Sequence, residues 1–202
     1  MPKFVRRKED RPEEIVAAAF DEFAERGYAD TRLEQVAKRA GVSKGLVYLY
    51  FKTKEHLFKA VVRTVVMPRV AEFEDAIANH DGTLAEFLEG PFVRIAAALP
   101  DSPARHVVRL IIAEGPKHPD LTRWYHEQVI SRVLAAFRSV FATAEERGEI
   151  RPNTLAQQPL LLIGPVVLSM LWKLLFDRHS QLDVEALIAA HVDLLLRAVE
   201  VK

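Results

Sequence analysis

The sequence predicts an all-α protein of about nine helices. Apolar residues recur with helical spacing through nearly the whole chain, and no run alternates apolar and polar residues as a half-buried strand does. The 11 prolines and 8 glycines fall mostly between the periodic segments. At 202 residues, half of them hydrophobic, the chain is long enough to bury a core and too apolar to stay disordered.

The first helix is expected from about Arg11 to Arg26, with Ile15, Val16, Ala19, Phe20 and Phe23 on one face and Gly27 closing it. Thr31 with Glu34 three residues on has the form of a capping box, which opens a second helix carrying Leu33, Val36, Ala37 and Ala40 inward. Gly41 breaks that helix, Ser43 caps a third that runs only to about Tyr50, and Thr53 caps a fourth from Lys54 to about Asn79. Pro68 lies inside the fourth and predicts a kink near Val65 to Pro68, because it removes a backbone hydrogen bond and collides with the preceding turn.

Thr83 with Glu86 is a second capping box, opening a helix to about Leu99. Ser102-Pro103 starts a helix ending near Gly115, and a long one follows from about Asp120 to Arg147, closed by Gly148. The eighth is expected from Leu155 to Phe176 with a second kink at Gly164-Pro165; Asp183 opens the ninth, which ends with the chain. The expected division is an N-terminal domain of three helices, residues 1–53, and a C-terminal helical domain, residues 54–202, bridged by the fourth helix.

Composition narrows the function. The absence of cysteine excludes disulfides, thiol chemistry and zinc-finger spacing, and a reducing cytoplasm is the expected compartment. The first ten residues have no apolar run and do not read as a signal peptide. The run Leu160 to Trp172 stops at Lys173, short of the roughly 20 residues a membrane span needs. It reads as a buried helix, and no membrane partner is expected. The zero net charge hides an asymmetry: residues 1–63 hold 14 Lys and Arg against 10 Asp and Glu, a net of +4, which the rest of the chain balances at −4. A basic head on an acidic body suits a protein that meets phosphate with one end.

Residues 31 to 55 sharpen this. They describe two short helices joined by the turn Ala40-Gly41-Val42-Ser43, the second polar at its start and aromatic at its end. That is the form of a helix-turn-helix, whose second helix enters the major groove of DNA. Ser43 leaves the first amides of the reading helix capped and aimed outward, where they favour phosphate. Lys44 is the best candidate for a base edge, and Gly45 lets the backbone approach the groove. Tyr48, Tyr50, Lys52 and Lys54 can reach phosphate or sugar, and Thr31 and Arg32 can hold the facing strand. Leu46, Val47 and Leu49 offer only apolar contact or pack inward. The arm Lys3, Arg6, Arg7, Lys8 and Arg11 either adds phosphate contacts or is a solvated tail.

From Pro12 to Leu57, about a quarter of the chain, the sequence resembles the DNA-binding domain of the TetR family of bacterial transcription regulators. The matching residues are Phe20, Phe23, Gly27, Thr31, Val36, Ala37, Ala40, Gly41, Val42, Ser43, Gly45, Tyr48, Tyr50, Phe51, Lys54, Glu55 and Leu57. The resemblance implies an all-helical homodimer whose first three helices form the DNA domain. It also implies a C-terminal body that binds a small molecule and then releases DNA, usually as repression relieved by a ligand.

The body is rich in aromatic residues. Phe73, Phe92, Trp124, Tyr125, Met170 and Trp172, with Arg109 as a polar group, are candidates to line an effector cavity between the fourth and eighth helices. An ordinary core is the competing reading for each, and the expected effector is apolar or aromatic. The seven histidines form no metal-ligating pattern: His118 and His126 lie eight apart, so neither metal nor cofactor is expected. The last two helices are apolar almost all round, which asks for a second copy to cover them. Leu161, Val167, Leu168, Leu171, Leu187, His191, Leu194 and Leu195 are the expected dimer contacts. Two-fold symmetry then predicts a palindromic operator in double-stranded DNA, with reading helices about 34–36 Å apart or somewhat wider. Two alternatives are a constitutive DNA-binding protein without an effector and a helical enzyme. The latter lacks any nucleophile signature, phosphate loop or carboxylate–histidine metal set.

Overall fold

The computed structural model describes residues 11–151 and 157–199. The helices are α1 (Arg11–Asp30), α2 (Leu33–Arg39), α3 (Lys44–Tyr50), α4 (Lys54–Val65), α5 (Met67–Ala78), α6 (Leu84–Phe87), α7 (Val93–Ala98), α8 (Ala104–Glu114), α9 (Pro119–Tyr125), α10 (Ser131–Glu146), α11 (Leu160–Leu175) and α12 (Val184–Val199). A π-helical turn at Leu88–Phe92 joins α6 to α7, and another at His126–Ile130 joins α9 to α10. Each joined pair corresponds to one helix of the nine expected. Among the described residues there is no strand. The arm Lys3, Arg6, Arg7 and Lys8, the expected helix start at Leu155 and the end of the last helix lie outside the described residues.

The chain forms two compact units. Among the described residues the first comprises 11–67 and 106–122, the second 68–105, 123–151 and 157–199. The break between α4 and α5 falls at Val66, two residues before Pro68 and at the place of the expected kink; it is one residue long, and Val66 keeps a right-handed helical φ/ψ. The first unit is larger than three helices. It also takes in α4 and a returning segment that nothing local in the sequence assigns to it.

The core of the first unit is built on Phe23, Tyr28 and Phe58, whose rings meet pairwise at 5.4–5.7 Å. Ile15, Ala19, Val36, Val47, Leu57 and Val61 are buried around them. Phe23 and Phe58 are fully buried, and each contributes about 1.5–3 kcal/mol on that count. The returning segment is held here too: Arg109 Nη2 donates to the Ala24 carbonyl at 2.5 Å, and His118 meets the Tyr28 ring edge-on at 4.8 Å.

A buried carboxylate ties α2 to α1. Glu22 accepts from Arg26 Nε at 2.7 Å and from Arg39 Nε at 2.8 Å, and Arg39 continues to Glu25. Those guanidiniums satisfy both oxygens of a group that would otherwise be costly to bury. Glu22→Ala is expected to lower stability by about 2 kcal/mol, read as a lower urea midpoint at unchanged slope. The solvent-facing Glu25→Ala serves as a control with a much smaller shift.

In the second unit the core centres on Phe73, Phe87, Phe92 and Phe137, with Phe73 and Phe137 closest at 4.7 Å. The expected capping box at Thr83 is present: Glu86 N donates to Thr83 Oγ1 at 3.2 Å and Thr83 N to Glu86 Oε2 at 2.7 Å. α11 stays helical through Gly164-Pro165, the place of the second expected kink. Pro165 has no N–H for the Leu161 carbonyl. His191 Nε2 on α12 takes that carbonyl at 2.7 Å, so the notch is filled and the two helices are pinned together.

Candidate nucleic-acid interface

The reading helix is set by its two ends. α2 closes in a Schellman turn, with Gly41 N donating to Lys38 O and Val42 N to Ala37 O. That geometry needs a positive φ at Gly41, which is +65°. Two residues on, Ser43 Oγ accepts from Leu46 N at 3.2 Å and starts α3. The amphipathic split of α3 follows from 100° per residue. Leu46, Val47 and Tyr50 fall on one side, where Val47 is fully buried and the other two are half-buried. Lys44, Gly45, Tyr48 and Leu49 fall on the other, and all four are exposed, Tyr48 at 40% and Leu49 at 72%.

That outward face is polar at one end and apolar at the other. Lys44 Nζ is 2.6 Å from Glu34 Oε1 of α2 and 5.6 Å from the Tyr48 ring centre. The pair raises the Lys44 pKa and lowers that of Glu34, chiefly through their mutual hydrogen bond. A Cβ added at Gly45 meets nothing within 4 Å, so the backbone there is open. Arg32 at the start of α2 and Lys52 after α3 are both exposed.

Two expected DNA contacts have other roles in the structure. Thr31 is 1% exposed, and its hydroxyl faces α1, within reach of the Gly27 carbonyl at 2.7 Å and the Glu22 carbonyl at 3.1 Å. It does not cap α2. That helix starts at Leu33 with Arg32 as N-cap, and Gln35 Oε1 accepts from Arg32 N at 2.9 Å. Gly27, with φ +83°, interrupts α1, and its own carbonyl is one of the two that meet the Thr31 hydroxyl. Lys54 is likewise turned inward: its Nζ donates to the Ala29 carbonyl at 2.7 Å and lies 4.8 Å from the Tyr28 ring centre. Burial lowers its pKa. It is a strut holding the last turn of α1, and a phosphate contact would require it to leave that place. Glu34, absent from the expected set, is exposed and paired with Lys44, and Leu49, expected either to offer apolar contact or to pack inward, is exposed. Helical phase around Lys44 places Leu49, whereas Glu34 needs the packing of α2 on α3.

The comparisons with known proteins agree with this geometry. Residues 15–61 match the family described as bacterial regulatory proteins, tetR family. Residues 78–195, more than half of the chain, match the tetracyclin repressor-like C-terminal domain. The chain is a member of the TetR family. This TetR-family protein is a DNA-binding transcription regulator and not an enzyme. It is 28% identical over 161 residues to the transcriptional repressor BepR of Brucella suis, spanning 75% of this chain and 76% of that one. A TetR-family chain from Mesorhizobium loti superposes with a TM-score of 0.80 at 28% identity, covering 97% and 100% of the two chains. SmeT of Stenotrophomonas maltophilia, solved with triclosan, shares the fold at a TM-score of 0.78 and 22% identity, covering 95% and 92%. No helix among the described residues of the TetR-family chain is long and apolar enough to cross a membrane.

The expected effector residues of this TetR-family regulator separate into groups. Phe73 and Phe92 meet in the Phe cluster at 6.4 Å, and Tyr125 and Met170 are buried. Desolvation pushes the Tyr125 phenol up to about 12. Trp124 is half-buried. Two polar groups are used internally. Arg109 holds Ala24, as described, and Trp172 donates its indole N–H to the Ser180 carbonyl at 2.9 Å while packing on Phe176. A pocket of about 90 Å³ lies elsewhere in the second unit, lined by His80, Thr83, Phe87, Thr143, Arg147 and Glu149 among others. None of the seven expected residues lines it, and drug-sized ligands occupy several hundred Å³.

The expected dimer residues fall on α11 and α12. Their core-facing sides bury Leu162, Val166 and Met170, and Ile188, Val192 and Leu196. Leu161, Leu168 and Leu194 are exposed, the last two at 53% and 64%. Val167, Leu171, Leu187, His191 and Leu195 are half-buried. The bond from His191 to Leu161 brings candidates from both helices together.

Proposed function

We propose that this regulator is a repressor that binds a palindromic operator as a homodimer and is released by a small apolar or aromatic effector. The observation that carries the DNA part is the outward face of α3: a capped helix presents Lys44, Gly45, Tyr48 and Leu49 to solvent from a well-packed unit. Lys44 reaches a base acceptor, Leu49 a thymine methyl, and Ser43, Tyr48, Arg32 and Lys52 the backbone. Tyr50 stands at the edge of this face. Among relatives, BepR is named a repressor.

Dimerisation is supported by the exposed leucines of α11 and α12, which a second copy covers by two-fold symmetry. Effector binding belongs to the second unit, with Phe73, Phe92, Tyr125 and Met170 as the apolar lining and Trp124 beside Tyr125. Triclosan, bound by SmeT, is a ligand of the expected apolar, aromatic character. The break between α4 and α5 at Val66 supplies the joint of a lever, and an effector that prefers one dimer shape changes the separation of the two reading helices. A protein of this kind acts inside the cytoplasm.

The test has two stages. A thermal-shift screen of small apolar and aromatic compounds identifies ligands, and each is then added to the protein bound to an operator selected from a random duplex pool. Release of the duplex by a stabilising ligand is the expected result. A protein that selects an operator but is released by no ligand would instead be a constitutive binder.

A further inference from the structure

We propose that Glu34 is a specificity-determining residue that masks Lys44 from non-specific DNA. This rests on the assignment of α3 as the reading helix. Lys44 is the sole Lys or Arg on that helix. Its ammonium is 2.6 Å from the Glu34 carboxylate, and both side chains are about half exposed, 59% and 47%. The carboxylate belongs to α2 yet is paired with Lys44 in the first turn of α3, the same ammonium that lies 5.6 Å from the Tyr48 ring centre. It therefore sits on the surface that meets the duplex, where its own charge opposes phosphate.

An exposed ion pair of this kind is worth little in water. Its effect appears against a polyanion. On arbitrary DNA, Lys44 gains a phosphate only by giving up Glu34, and the released carboxylate is left facing like charge. The exchange is close to balanced and adds little affinity. On an operator with a correctly placed guanine, Lys44 reaches O6 or N7 and the freed carboxylate can accept from a cytosine amino group. Glu34 thus weakens wrong sites more than the right one, which raises the ratio that governs occupancy in a genome.

The experiment uses the full-length protein as wild type, Glu34→Gln, Lys44→Met and the double variant. Each is titrated by fluorescence anisotropy against a mixed-sequence duplex and against the operator selected by the wild type, at several salt concentrations. Glu34→Gln is expected to bind the mixed duplex roughly fivefold tighter, with a salt slope steeper by up to about 1, and the operator less than about twofold tighter. In the Lys44→Met background the gain on the mixed duplex should be clearly smaller, because only the carboxylate's own repulsion of phosphate is then relieved. Glu34→Gln binding that is unchanged or weaker, or an equal gain with and without Lys44, would overturn the masking role. A wild type with no affinity for any duplex would overturn the assignment of α3 as well.

Discussion

Gly45→Glu is expected to abolish operator binding while leaving the protein folded. Position 45 is exposed, a Cβ there meets nothing within 4 Å, and it lies within α3 without a positive φ. Replacing a helical glycine favours the helix by up to about 1 kcal/mol, and a carboxylate in the first turn complements the helix dipole. The melting temperature should therefore hold or rise slightly. On DNA the same carboxylate is forced against phosphate and fills the space the backbone needs. A loss of at least about 100-fold, roughly 2.8 kcal/mol, is expected by anisotropy. Tyr48→Ala, which removes one contact and adds no charge, should lose about tenfold. Unchanged affinity in Gly45→Glu would place the DNA surface elsewhere.

Leu168→Asp combined with Leu194→Asp should produce a folded monomer that no longer holds its operator. Both leucines are exposed in the single chain, so the substitutions leave the α11–α12 core of Leu162, Val166, Ile188 and Val192 untouched. In a symmetric interface each charge appears twice and is desolvated against apolar surface. Sedimentation should show the subunit mass, with helical content and urea slope close to wild type. Linking two half-site readers raises apparent affinity by about 10²–10⁴, and that factor is what the monomer loses. A double variant that stays dimeric would move the interface off these helices.

The two substitutions probe features of different legibility. The turn from Ala40 to Ser43 was readable because its physics is local. A Schellman turn needs a residue tolerant of positive φ, a helix start needs a side-chain oxygen, and both lie within a few residues of the amides they serve. The break at Pro68 was readable for the same reason. Where a distant partner competes, local reading fails. Thr31-Arg32-Leu33-Glu34 and Thr83-Leu84-Ala85-Glu86 carry the same Thr-x-x-Glu pattern. Thr83 forms the box, whereas the Thr31 hydroxyl bonds the Gly27 and Glu22 carbonyls of α1. Pro165 leaves the Leu161 carbonyl without its helical donor, and the group that takes it, His191, lies 26 positions along. Lys54 looks like a phosphate ligand until Tyr28 and Ala29 claim it.

The sequence by itself determined the all-helical class, the order and caps of most helices, the short reading helix and the family. Each follows from hydrophobic period, turn chemistry or a compact motif whose interactions span few residues. Only the tertiary structure decided that residues 106–122 return to the first unit, that Glu22 is buried between two arginines, and that Glu34 holds Lys44. Those outcomes depend on which distant group wins a given side chain. That competition is settled by packing geometry, which one-dimensional spacing does not record.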